Sequence, residues 1–108
     1  MGSYQSFELG DLQADRSRSC AEFLRRPGIS MGIHHLPVGG RDPQHPHSAD
    51  AVNVVLAGRA VLEVEGERLD VQRGHVVSVD VGADHRFVDV AKDPSVLVMF
   101  APPDSPED

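Results

Sequence analysis

Apolar residues in this chain come in short runs, each cut by a glycine or another turn-forming residue. Ile29 to Leu36 follows the turn Pro27-Gly28. Val52 to Leu56 ends before Gly58, and Ala60 to Val64 follows it, with Leu62 and Val64 on one face and Glu63 on the other. The turn Glu65-Gly66-Glu67 leads into Arg68 to Val71, and Val76 to Val79 follows Gly74. Arg86 to Val90 precedes a turn at Lys92-Asp93-Pro94, and Val96 to Phe100 closes the pattern. A step of two between like side chains marks a strand with one face turned to a core. Runs this short with Gly at the corners predict an all-β sandwich or barrel. Only Ser17 to Arg26 admits a short helix, capped by Ser17 or Ser19 and stopped at Pro27-Gly28, and a strand fits it nearly as well. The chain then divides into residues 1–28, an N-terminal strand or short helix packed on the barrel, residues 29–101, the β core, and residues 102–108, a loose acidic tail rich in proline.

Composition narrows the function classes. The length of 108 residues suits one domain with a core of its own. The formal charge of −7 repels a nucleic-acid backbone, and the arginines 16, 18, 25 and 26 have Glu22 among them, so no basic cluster overrides it. Cys20 is the single cysteine, which excludes an intrachain disulfide. No apolar run reaches the roughly 20 residues of a membrane span, and no secretory leader is visible, so the expectation is a soluble cytoplasmic protein. Lys92 is the only lysine, a bias to arginine that suggests a GC-rich bacterial gene.

The candidate chemistry lies in the histidines. Six are present, and His45-Pro46-His47 sets two of them two residues apart. In an extended chain those side chains point to the same side, so both imidazoles can converge on one ion at about 2.0–2.1 Å. His85 is the third candidate ligand, from a distant strand. His34 and His35 are adjacent, so at most one faces the interior; either is a structural or surface residue, or else a fourth ligand or proton shuttle. His75 follows a turn glycine and is expected in solvent.

Two spacings carry a resemblance to the cupin superfamily. Gly39, His45, His47, Ala51 and Gly58 keep the spacing of its first motif, G-x5-H-x-H-x3,4-E-x6-G. Gly74, Asp80, Gly82, His85 and Asp89 keep that of its second, G-x5-P-x-G-x2-H-x3-N. Asp42-Pro43-Gln44-His45-Pro46-His47, Val55-Leu56-Ala57-Gly58-Arg59-Ala60 and His85-Arg86-Phe87 resemble segments of short single-domain bacterial cupins. The chain departs from the motifs where Ala51 replaces a liganding glutamate, Asp80 a proline and Asp89 an asparagine. The resemblance implies a two-sheet antiparallel jelly roll around a pocket, holding one divalent metal ion on His45, His47 and His85.

Further expectations follow. The ion is iron(II) or zinc first, nickel or manganese second, since imidazole suits all of them. Asn53, Val55, Phe87 and Met99 are expected to line a pocket for a small molecule. Asn53, two residues past Ala51, either touches that ligand or satisfies a buried polar network. Asp50 replaces the absent glutamate only if a bulge turns it inward, and Asp80 orients His85 or merely makes a turn. No residue is assigned a catalytic role beyond the metal. The function implied is a metal-dependent enzyme, either a Lewis-acid cyclase, isomerase or lyase, or a dioxygenase; the alternative is a non-catalytic module that binds a small ligand or metal. No nucleic acid or membrane partner is expected. A homodimer is, with Tyr4 to Leu9 placed to pair with the partner or cover a sheet edge.

Overall fold

A computed structural model describes residues 3–14, 20–36 and 49–103 of the chain. A short helix α1 (Leu9–Ala14) precedes six strands among these residues: β1 (Cys20–Arg26), β2 (Ile29–His35), β3 (Asp50–Val64), β4 (Glu67–Gln72), β5 (Val76–Val79) and β6 (His85–Ala101). Every pairing between them is antiparallel. The strands form one hydrogen-bonded sheet in the order β1-β2-β6-β3-β4, with β5 also on β3. The fold is an all-β antiparallel jelly roll.

Two long strands make the spine. The sequence pattern predicts separate strands on either side of Gly58 and of Lys92-Asp93-Pro94. Instead β3 and β6 each run through, because their mutual ladder resumes beyond three register irregularities between Val55 and Val61. Gly58 has φ +80°, and a Cβ there would lie 2.5 Å from Pro94 Cα and 2.7 Å from the Lys92 carbonyl oxygen. Only glycine lets the two strands cross this closely. Lys92 also takes a left-handed conformation, φ 57°. The first half of β3 and the last half of β6 pair with β5 and β2, while the other halves pair with each other and β4. One buried cluster joins Val55, Val96 and Val98 of the first group to Leu62, Phe87 and Val71 of the second. The sheet therefore folds over on itself and encloses that core.

The hairpin from β3 to β4 has Val64 opposite Glu67, so Glu65 and Gly66 alone make the turn. Both have positive φ, 48° and 85°, the type I′ geometry whose twist matches the strands it joins. At the other end of the chain, Cys20–Arg26 is a strand on β2 and not a helix. Its half-buried residues Ala21 and Leu24 stand opposite Ile33 and Met31 of β2, and that pairing outweighs local helix propensity. The segment from Tyr4 to Glu8 forms no strand. Phe7 packs edge-on against Phe23 with ring centroids 5.0 Å apart, covering part of the edge strand β1. No helix among the described residues is long and apolar enough to cross a membrane.

Candidate metal and ligand site

Register decides which side chains share the inner face. Residues directly opposite one another in a ladder project to the same side. Glu22, Gly32, Val98, Asn53 and Val77 form one cross-strand row, and Ser30, Phe100, Ala51 and Val79 form the next. Val98 and Val55 belong to the enclosed core, so both rows face inward. Past the irregularities, Leu62 stands opposite Phe87 and Val64 opposite His85 on that same core side.

His85 opens β6 and is 3 % exposed. Its Nδ1 lies 3.1 Å from the carbonyl oxygen of Ala83. A carbonyl only accepts, so Nδ1 carries the proton and Nε2 the lone pair. An imidazole whose second nitrogen donates to a carbonyl is the arrangement that orients a metal ligand. The donor is thus held by backbone and not by Asp80, which is exposed and whose own carbonyl accepts from the Ala83 amide at 3.1 Å. Asn53 is buried, and its Nδ2 has no hydrogen-bond partner among the described residues. Ala51, 1 % exposed, adds no polar atom to the inner face. Asp50 does not turn inward: it is exposed, and its Oδ1 accepts from the Val81 amide at 2.8 Å.

The two adjacent histidines separate as alternation requires. His34 pairs with Val96 on the inner face, half-buried and opposite Cys20. His35 pairs with Ser95 on the outer face. It is buried, with no partner for either ring nitrogen among the described residues, near where Gln13 Nε2 of α1 donates to Ser95 Oγ at 3.0 Å. His35 is therefore removed from the interior, and His34 is the one of the pair beside it. His75 is exposed, its Nδ1 accepting from the Gln72 amide at 3.1 Å.

His45 and His47 lie outside the described residues, and among the described residues no three His, Cys, Asp or Glu side chains gather to hold an ion. Of the expected pocket residues, Asn53, Val55 and Phe87 are buried on the inner side. Met99 is not: it pairs with Met31 and Val52 on the outer face. Counting in twos from His85 and Phe87 arrives at Met99, but the irregular stretch between Asp89 and Pro94 shifts the alternation by one. Val98 and Phe100 face inward instead.

A pocket of about 300 Å³ lies over this inner face, lined by Cys20, Glu22, Arg25, Ser30, Val98 and Phe100 among others. It had a sequence signal in the small residues Ser30 and Gly32 at alternate positions of one strand. A second cleft, of about 430 Å³, is lined by Arg59, Asp70, Gln72, His75 and Asp89, and His85 does not border it.

Comparison with known proteins gives a consistent picture. The cupin domain family matches residues 32–101. An uncharacterised protein of Streptomyces coelicolor, SCO3923, is 39 % identical over 104 residues, 94 % of this chain and 99 % of that protein. An RmlC-like cupin family protein with a double-stranded β-helix fold, from Methanocaldococcus jannaschii, superposes with a TM-score of 0.76 over 94 % of each chain at 16 % identity. The DMSP lyase DddQ from Ruegeria pomeroyi superposes with a TM-score of 0.66 at 23 % identity, over 70 % of this chain and 39 % of that one.

Proposed function

The chain belongs to the cupin family, and on that footing we propose that it is a metal-dependent enzyme acting on a small organic molecule, with His45, His47 and His85 holding one divalent ion. The observation that carries the proposal is the buried His85 imidazole, its Nδ1 proton held at 3.1 Å by the Ala83 carbonyl. That bond favours the tautomer in which Nε2 is the basic nitrogen, the form in which an imidazole ligates an ion. Iron(II) or zinc suits the donor set best, with nickel or manganese next. Such an ion supplies Lewis acidity at a carbonyl or enol oxygen, or oxygen activation if it is iron. Ala51 adds no carboxylate to the inner face, so three neutral ligands would leave the ion its full charge. That favours cyclase, isomerase or lyase chemistry over a dioxygenase, and a lyase is among the proteins that share the fold. Phe87 and Leu62, beside His85, keep water from the floor of the site.

A second reading has its own support. Ala51 is a methyl group where a further ligand would stand, which suits a module that binds without reacting. Metal analysis of protein purified without chelator or affinity tag addresses both. The expected result is a bound divalent ion that is lost in the His45→Ala/His47→Ala/His85→Ala variant and kept in His75→Ala. Equal metal content in the wild type and the triple variant overturns the proposal.

The chain is also proposed to form a homodimer. Support comes from Val76, 63 % exposed on β5, and from half-buried Val52, Val54, Leu97 and Met99 on the outer face of the same sheet. Light scattering that gives a monomer at micromolar concentration refutes it.

A further inference from the structure

Where β4, the second half of β3 and the first half of β6 pair, the outer face of the sheet carries charges in cross-strand rows. Arg86, Glu63 and Arg68 make one row, Val88, Val61 and Asp70 the next, and Ala91, Arg59 and Gln72 a third. The alternate residues Ala60, Leu62 and Val71 are buried on the core side. Most of the charges on this face are answered. Arg86 lies 3.5 Å from Glu63, and Arg68 pairs with Asp89. A β-bulge turns Asp89 outward: Asp89 and Val90 together oppose Ala60 alone, Val90 is buried, and Asp89 is exposed with φ 49°. Arg59 and Asp70 remain. They are diagonal neighbours across two paired strands, about 7–8 Å apart, and neither forms an ion pair among the described residues. Both line the cleft of about 430 Å³, together with Val61 and Ala91.

Asp89 in that cleft is neutralised by Arg68, so one free cation and one free anion border the same space. A molecule of a single charge is attracted by one of them and repelled by the other. A molecule with an ammonium and a carboxylate on one carbon meets both. We propose that this cleft binds a free amino acid with an aliphatic side chain, its carboxylate on the Arg59 guanidinium, its ammonium on the Asp70 carboxylate and its side chain over Val61 and Ala91. A guanidinium fork matches a carboxylate with two parallel bonds. The site is separate from the metal reading, because His85 does not border the cleft.

The test is an amide chemical-shift titration of the full chain with L-leucine at low salt. Two analogues serve as controls: 4-methylpentanoate, which lacks the amino group, and isoamylamine, which lacks the carboxylate. Leucine is expected to shift the amides of Arg59, Asp70 and Gln72 and of the bulge at Asp89, and to leave those of β1 and β2 in place. Each analogue should bind about fivefold or more weakly, since each forfeits one of the two charge contacts. Arg59→Gln and Asp70→Asn should each weaken leucine binding by a similar factor and keep the wild-type melting temperature, because neither charge is paired within the fold. A wild type that leucine does not shift overturns the proposal, as do shifts centred elsewhere. So does an analogue that binds as tightly as leucine, or a variant with unchanged leucine affinity. A marked fall in melting temperature in either variant overturns it too, because the charge would then already serve the fold.

Discussion

Replacing Gly58 by alanine tests how the fold brings its two halves together. The added Cβ meets Pro94 Cα at 2.5 Å, and the Lys92 carbonyl oxygen and Pro94 nitrogen at 2.7 Å. All three are backbone atoms, so no side chain can rotate away. Holding a residue with a Cβ at φ +80° costs about 1–2 kcal/mol, and forcing an extra methyl group into packed backbone costs about 1–3 kcal/mol more. The loss expected for Gly58→Ala is thus about 2–5 kcal/mol, a large part of the roughly 5–15 kcal/mol that holds a domain folded. Gly66 supplies the control. Its φ is +85°, but a Cβ there meets nothing within 4 Å, so Gly66→Ala carries the conformational cost without the clash. Urea denaturation of both variants, followed by circular dichroism, separates the two contributions. If Gly58→Ala loses no more stability than Gly66→Ala, the close crossing of β3 over β6 is not what requires a glycine there, and the reasoning fails. The crossing also bears on the site, because Asn53 lies on one side of it and His85 on the other.

Phe87→Ala should lower stability by about 3–5 kcal/mol in the same urea assay, because Phe87 is fully buried in the enclosed core; a loss under about 1 kcal/mol would mean the site is not packed as described. Gly32→Ala puts a Cβ 3.0 Å from the Ala21 carbonyl oxygen, which should push β1 outward and speed hydrogen exchange of its amides while leaving those of β4 unchanged. Ala51→Glu should slow metal loss to a competing chelator by adding a charged ligand and should weaken binding of an anionic ligand; unchanged chelator kinetics would show that position 51 does not face the ion. His34→Ala should leave metal content intact while His85→Ala abolishes it, and the reverse result would reassign the third ligand.

How much of this was legible follows from how local each signal is. Gly58, Gly66, Gly74 and Gly82 all have positive φ; the first three were marked by their place between apolar runs, and Gly82 by the motif spacing. His85 on the inner face was readable from motif spacing, and the separation of His34 from His35 from alternation alone. Alternation failed at Met99, because a shift of one in a long strand is set by packing against β3 and leaves no mark in the residues nearby. The continuity of β3 and β6 through their glycine and proline breaks was hidden for the same reason: partners distant in sequence supply the hydrogen bonds that carry each strand across. The unpaired amide of Asn53 could not be read at all, since whether a buried polar group finds an acceptor depends on atoms from several strands.

The place of β6 in the sheet has a consequence for how the protein is made. It is the last of the described strands in the sequence, yet it lies between β2 and β3. On the ribosome, the β1–β2 hairpin and the β3–β4 hairpin emerge first, and each shows solvent the edge that β6 will later occupy. Neither hairpin pairs with the other in the finished sheet, so nothing joins them until the chain beyond Pro94 is free to insert, bringing Phe100 back to Ser30. Closure of so long a loop is slow, and the waiting edges are templates for other nascent chains. A ribosome stalled within β6 would therefore release two sticky hairpins in place of a partly folded barrel.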